Sequence, residues 1–316
     1  MKRLSCLIQI GNYEFKNVVE VKIESTFEQL TDTAQLTLPR KLQFQDKAIT
    51  GDSGIFKPGD AVKIYLGYDF KNELIFSGYL TDIKPGTPLV FRCEDEMYQL
   101  KRGALNKSFR TSIKLRELLS FMLPNYKIHC PDVTIGTIRL EKETPAQVLN
   151  RLNKDFSFRS WFRDGTLYVG LAWWPELQQT PPPRFTFNWD IISHDLLYQQ
   201  AENVRLKVRA ISIGDDNKKT EVEVGDPEGE LRTLTYYNVP KKDLVEFAKL
   251  EIERMRFTGF RGKFISFGSP VVRHGDRVEI VDRTISDRNG LYIAKRVETT
   301  FGLHGYRQSI ELGPKV

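Results

Sequence analysis

The chain has 316 residues, 40% of them hydrophobic and 28% charged, enough for two or three domains and too apolar for a disordered chain. Forty-seven Lys and Arg against 41 Asp and Glu leave a net charge of +6, too mild an excess for a dedicated nucleic-acid binder with its dense basic stripe. Three cysteines, Cys6, Cys93 and Cys130, are odd in number and lack paired spacing, which argues against a disulfide framework or a zinc site and fits a reducing compartment of synthesis.

Lys2 and Arg3 followed by an apolar run imitate an export signal, but the run stops at Ile10 without an Ala-x-Ala site. Leu4 to Ile10 is predicted as a first strand. No apolar run approaches 18 residues, so no transmembrane helix is predicted. Through the first hundred residues apolar side chains alternate with polar ones: Val19, Val21, Ile23; then Ala34, Leu36, Leu38; then Val62, Ile64, Leu66. Alternation puts successive side chains on opposite faces of a strand. Pro39, Pro58-Gly59 and Pro85-Gly86 punctuate the runs, and short strands with such turns predict an antiparallel barrel or sandwich.

After about residue 100 the period changes. Leu115, Leu118, Leu119 and Met122 share one helical face, ended by Pro124. Residues 144–156 are a second helix, with Thr144 as cap, Pro145 at the first position and Gln147 closing a capping box. Residues 159–163 and 166–169 around Asp164-Gly165 read as a hairpin. The middle is thus a small α+β unit. Thr180-Pro181-Pro182-Pro183 reads as a stiff connector rather than a polyproline ligand. From Phe185 strands return, with Val204, Leu206 and Val208 and then Val222 and Val224 alternating. One helix interrupts, with Leu244, Ala248, Ile252 and Met255 on one face. The expected organisation is a first β-barrel over 1–100, an α+β domain over 101–183, and a second barrel over 184–316 with a helical insertion near 240–257.

Two segments correspond. Gly59-Asp60-Ala61-Val62-Lys63-Ile64 leads to Gly78, and Gly275-Asp276-Arg277-Val278-Glu279-Ile280 leads to Gly290. Aligning both glycine pairs shortens the second loop by four residues. The expectation is two copies of one barrel.

Four stretches, taken in order, resemble the baseplate hub proteins of contractile phage tails and related injection systems, the late control protein D family. They are residues 19–24 with 31–39, residues 56–64, residues 144–149 with the hairpin 162–170, and residues 268–278 with 302–313. The resemblance covers nearly the whole chain. It implies two tail-tube-like barrels per chain and a ring-shaped homotrimer. Such a ring displays six similar barrels, matching a hexameric tail tube on one side and a trimeric spike on the other. It places the protein in the virion baseplate, assembled in the bacterial cytoplasm. Because the second barrel runs to the last residue, the spike is expected to be a separate chain.

Chemistry-bearing residues give little support to catalysis. The histidines are His129, His194, His274 and His304. His194-Asp195 are strand neighbours facing opposite ways, and His129-Cys130 precede Pro131 in a turn or strand end. Nucleophile-elbow, zincin and Walker motifs are absent. All four histidines are therefore expected at the surface or in turns. Glu94-Asp95-Glu96 is expected to be a solvated loop or polar helix start, since three consecutive carboxylates cannot converge on one ion. Asp215-Asp216-Asn217 lacks the later Glu of a calcium loop and fits a hairpin tip. Trp173-Trp174 can stack on a sugar or a base, but packing between units is the favoured role. Arg254, Arg256, Arg261 and Lys263 form a basic run able to meet phosphate or an acidic partner. No catalytic, cofactor or metal residue is assigned, and the expected role is structural. The alternatives are a carbohydrate-binding module resting on the tryptophans and a hub with peptidoglycan hydrolase activity.

Overall fold

The computed structural model describes residues 3–39, 41–44, 47–50, 55–84, 86–156, 158–170, 174, 177–178, 180–214, 218–237 and 239–316, without the side chains of 41–44, 47–50, 213, 237 and 254. The chain is mostly β. The alternating runs form strands, with Val21, Ile23, Ala34, Leu36, Leu38, Val62, Ile64 and Leu66 all buried. Strands from both ends of the chain join one fourteen-stranded sheet.

Its first half runs, edge to centre, Tyr13–Phe15, Leu4–Ile10, Ala61–Tyr68, Lys71–Lys84, Leu89–Glu94, Thr33–Leu38, Glu20–Thr26. Its second half runs Arg184–Thr186, Arg277–Val281, Gly290–Gly302, Gly305–Lys315, Gly259–Phe267 and Ile191–His194, with Leu197–Gln199 also on Gly259–Phe267. With the short strands Tyr13–Phe15 and Leu197–Gln199 left aside and the rest numbered along the chain within each half, both orders are first, fourth, fifth, sixth, third, second. They differ in one pairing: first with fourth is antiparallel in the first half and parallel in the second.

The Gly-Asp turns match bond for bond. The amide of Gly59 donates to Leu80 O at 2.7 Å, and that of Leu80 to Asp60 O at 2.8 Å. Gly275 donates to Ala294 O at 2.7 Å, and Ala294 to Asp276 O at 2.8 Å. Each aspartate accepts the amide three residues earlier, Lys57 or Arg273, at 2.8 Å. Gly59 and Gly275 have φ of 100° and 81°, which only glycine adopts without strain.

Register corrects one detail of the expected repeat. Val62 faces Gly78, whereas its counterpart Val278 faces Tyr292, and Gly290 faces Ile280. Gly78 and Gly290 are thus not equivalent, and the second loop is two residues shorter, not four. The two glycines answer different close approaches. A Cβ on Gly78 would strike the Glu94 carbonyl, and one on Gly290 the Tyr292 ring.

Neither half closes into the expected barrel among the described residues. The outer edge of Glu20–Thr26, which closure would turn back on its own half, is occupied by Gly290–Gly302, from Arg296↔Thr26 to Gly302↔Glu20. The halves are fused at this edge. Their cores interpenetrate there, since Phe301 and Tyr306 of the second half complete the core of the first.

The middle residues build a separate core of Leu115, Leu118, Leu119, Met122, Val148, Leu149 and Leu152. Helices Leu115–Met122 and Pro145–Phe156 fall where the stripes predict them. The hairpin Arg159–Arg163/Thr166–Gly170 turns at Asp164 and Gly165, both with positive φ, as a two-residue primed turn requires. Lys127–His129 adds a parallel strand. The capping box is formed: Thr144 N donates to Gln147 Oε1 at 2.8 Å, and Gln147 N to Thr144 Oγ1 at 3.3 Å. Thr144→Ala is expected to lower stability by about 1 kcal/mol, read as a shift in the urea midpoint.

The second half carries more than the expected helix. Strands Leu206–Ile213, Lys219–Gly225 and Glu230–Tyr237 form a three-stranded sheet of their own, outside the large sheet. Helix Lys241–Met255 covers them through Leu244 and Ala248. Their alternation looked like that of barrel strands because one covered face gives the same period on any sheet.

Candidate functional site

The buried charged and titratable residues Asp95, Arg163, His274 and Asp276 gather where the two halves and the middle unit meet. Four segments supply them: strand Glu20–Thr26 with the turn behind it, the segment after strand Leu89–Glu94, hairpin 159–170, and loop 268–276. Arg163 lies two residues beyond Trp161 on one strand face, and that face is buried against the second half. Arg163 Nη1 donates to Asp276 Oδ1 at 2.8 Å, with side chains 7% and 3% exposed. Arg163 Nη2 donates to His274 O. The repeat's Gly-Asp turn is thereby bolted to the middle unit. Arg273 reaches back to Asp164 Oδ1 at 3.2 Å and to Leu74 O at 3.4 Å, which adds the first half.

Beside this bolt, Ser25 Oγ lies 2.5 Å from both Asp32 Oδ2 and His274 Nδ1. Asp32 Oδ1 accepts the Thr26 amide at 3.1 Å. A hydroxyl has one proton. If Ser25 gives it to Asp32, His274 must carry its proton on Nδ1, leaving the buried Nε2 as a bare acceptor with no hydrogen-bond partner among the described residues. Burial raises Asp32 to about 6. Burial, and then the charge of Asp32, hold Asp95 well above the usual carboxylate range. Burial lowers His274 to about 3, with Arg163 and Arg273 adding to the effect. These groups border a cavity of about 340 Å³ also lined by Lys63, Phe76, Glu96 and Phe162.

Ser, His and Asp together invite comparison with a hydrolase. The order is wrong: serine sits between the acid and the imidazole, whereas a triad needs histidine in the middle. An imidazole that stays neutral down to about pH 3 is also a poor base.

Two of the singled-out residues lie deeper than expected. His274, expected at the surface or in a turn, sits in the Gly-Asp turn but is only 2% exposed, because loop 268–276 folds under Phe27 and Trp161. Asp95, expected in a solvated loop or polar helix start, stands at the start of helix Met97–Leu100, its Oδ1 accepting the Met97 amide at 3.1 Å, and is 7% exposed. Its neighbours diverge: Glu94 takes Lys101 Nζ at 2.6 Å, and Glu96 takes Tyr126 Oη at 2.7 Å and Tyr79 Oη at 3.1 Å. His129 packs its ring 4.5 Å from Trp174, centroid to centroid. Cys130 is buried, which raises its thiol. His194 packs on Phe187, and His304 is exposed in the turn between the last two strands. Trp174 is buried with Phe27, Trp161, Tyr168 and Ile293, one residue or more from each of the three units, so it packs as favoured. Trp173 and Asp215-Asp216-Asn217 lie outside the described residues. In the basic run, Arg256 Nε donates to Ala201 O and Arg261 Nη1 to Gln199 Oε1. Ser25, Asp32 and Arg163 were not singled out from sequence, and Asp276 only as part of the repeated Gly-Asp turn. Arg163 in phase with Trp161 was the available signal.

The sequence matches no protein-family model and no curated protein. Solved structures do resemble it. A tail protein from Neisseria meningitidis MC58 superposes with a TM-score of 0.70 at 14% identity, over 99% of this chain and 97% of that one. The 43 kDa tail protein of prophage MuSo2 from Shewanella oneidensis gives 0.67 at 15% identity, over 98% of each. The E. coli c3393 protein, a type VI secretion system component with structural similarity to the T4 tail proteins gp27 and gp5, gives 0.59 at 9% identity, over 97% of this chain and 76% of that one. The overall fold is thus shared with these solved phage tail proteins and with the type VI secretion component.

Proposed function

We propose that the chain is a non-enzymatic hub of a phage tail baseplate or related injection system, in which three copies close a ring of six tube-like units. One face of the ring meets a hexameric tail tube and the other a trimeric spike protein. The units are the two sheet halves, read as open relatives of a tube subunit and divided by the middle domain near residues 101–183. The observation that carries this reading is the shared strand order with the bond-for-bond Gly-Asp turn. A duplicated unit is what lets threefold symmetry imitate sixfold.

The sheet also has the ends such a ring needs. Leu197, 75% exposed, and Ile192 stand on its terminal strands beside the exposed Trp189. Tyr13–Phe15 lies at the other end. Edge strands offer unpaired backbone groups, and head-to-tail contacts close a ring when the rotation completes a circle. In this reading the protein belongs to the virion and binds no nucleic acid by sequence. The carbohydrate-binding alternative loses support because Trp174 is buried.

The test is native mass. The expected result is a species at three times the 36.6 kDa chain, alone or with the spike protein. Trp189→Ser with Leu197→Glu is expected to keep the chain folded and weaken the trimer at least tenfold, since exposed aromatic and aliphatic anchors dominate such contacts. A strict monomer at high concentration, with and without the spike, would overturn the reading.

A further inference from the structure

The junction cavity holds more acid than its cations answer. Asp32 and Asp95 both line it, and the Asp95 amide donates to Asp32 O at 3.0 Å. The turn at 27–32 is therefore tied to the segment at 94–97 directly under the two carboxyls. Each nearby cation is already engaged or hydrated. Arg163, from hairpin 159–170, is spent on Asp276, and Arg273, from loop 268–276, on Asp164. Lys63, from strand Ala61–Tyr68, is exposed. His274 meets Asp32 through Ser25 as a neutral ring. Glu24 and Glu94 add negative charge from the two flanking strands. Asp32 accepts Ser25 Oγ and the Thr26 amide and feels the Arg163 charge, and Asp95 accepts the Met97 amide at 3.1 Å. Neither carboxyl has a cation of its own, so two ionised aspartates in this cavity would repel each other.

We propose that Asp32 and Asp95 form a proton-controlled latch: while one carboxyl keeps its proton the turn at 27–32 and the segment at 94–97 stay joined, and release of that proton to water drives them apart. The latch lies at the seam of the three units, so its opening loosens how they are held without unfolding any one core. Asp95 is 7% exposed and the Asp32 side chain 19%, and the resulting loss of hydration supports this, because it favours the protonated form.

Amide hydrogen exchange of the full chain from pH 5 to 8 tests it. The probes are the amides of Asp95 and Thr26, which donate to Asp32 O and Oδ1. After correction for intrinsic base catalysis, their opening constant is expected to rise with pH. The limit is tenfold per pH unit, the signature of one proton lost on opening. Asp95→Asn keeps the shape and fixes the neutral form, so its opening constant should be flat. Asp32→Asn should flatten it as well. The latch is overturned if Asp95→Asn retains the parent slope, or if amides of strand Leu4–Ile10 show the same slope, which would mean global unfolding. Failure of both variants to fold would also overturn it, since a neutral carboxamide stands for the closed state. None of these outcomes depends on whether the chain trimerises.

Discussion

Asp276→Ala is expected to lower stability by about 3–5 kcal/mol, and the same change at Asp60, its counterpart in the first half, by about 1 kcal/mol. The two aspartates occupy one kind of turn and make the same backbone bond, to Arg273 N and Lys57 N at 2.8 Å. They differ in what stands behind the turn. Asp60 is half-buried and meets no buried guanidinium, so its loss costs one turn bond. Asp276 also holds the buried Arg163 guanidinium, and removing it strands a cation away from water. Arg163→Met combined with Asp276→Asn is expected to recover most of the loss. The asparagine keeps an acceptor for Arg273 N, and no charge is left unpaired. Urea midpoints of the four proteins at constant m settle the comparison. Equal losses at Asp60 and Asp276 would mean that Arg163 does not bolt the middle unit to the second half.

That contrast also shows what could be read from the sequence. Local patterns were legible wherever one periodic face meets one core. Leu4–Ile10, the Leu115–Met122 stripe, the Thr144/Gln147 box and the Asp164-Gly165 turn are all where short-range rules put them. The duplication was legible because a Gly-Asp turn with positive φ leaves a fixed mark. Its register was not, because glycine serves a different close approach in each copy. Non-local pairings leave no such mark. Nothing in Glu20–Thr26 announces that Gly290–Gly302 will take its free edge, and that single pairing separates a fused sheet from two closed barrels. The same holds for the junction. Asp95 and His274 sit in polar stretches that read as surface, and only contacts made across three units bury them. Burial by tertiary packing overrides local polarity.

His274→Gln and Asp32→Asn are expected to tilt the pH dependence of stability in opposite directions between pH 4 and 6. In the unfolded chain His274 takes up a proton below its ordinary value of 6.5, and Asp32 stays ionised down to 3.8. The folded chain reverses both habits: His274 remains neutral to about 3, and Asp32 keeps a proton up to about 6. The histidine's contribution to stability is therefore complete above pH 6.5 and drains away as pH falls toward 3. The aspartate's is complete below pH 3.8 and is lost as pH rises through about 6. Over pH 4 to 6 each site exchanges somewhat less than one proton on unfolding, in opposite senses, so each supplies a slope of about 1 kcal/mol per pH unit with opposite sign. The two largely cancel in the parent, with Asp95 adding to the aspartate side. Removing His274 exposes the aspartates, and stability should fall with rising pH about 1 kcal/mol per unit more steeply than in the parent. Removing Asp32 leaves the histidine less opposed and should shift the slope by a similar amount the other way. Across the two units the variants diverge from the parent by about 2 kcal/mol each, in opposite directions, which urea titrations at pH 4, 5 and 6 resolve. Three parallel profiles would mean that neither group is held in its folded-state form by this junction, and the proton latch would fall with them; the duplicated sheet, which rests on backbone register alone, would stand.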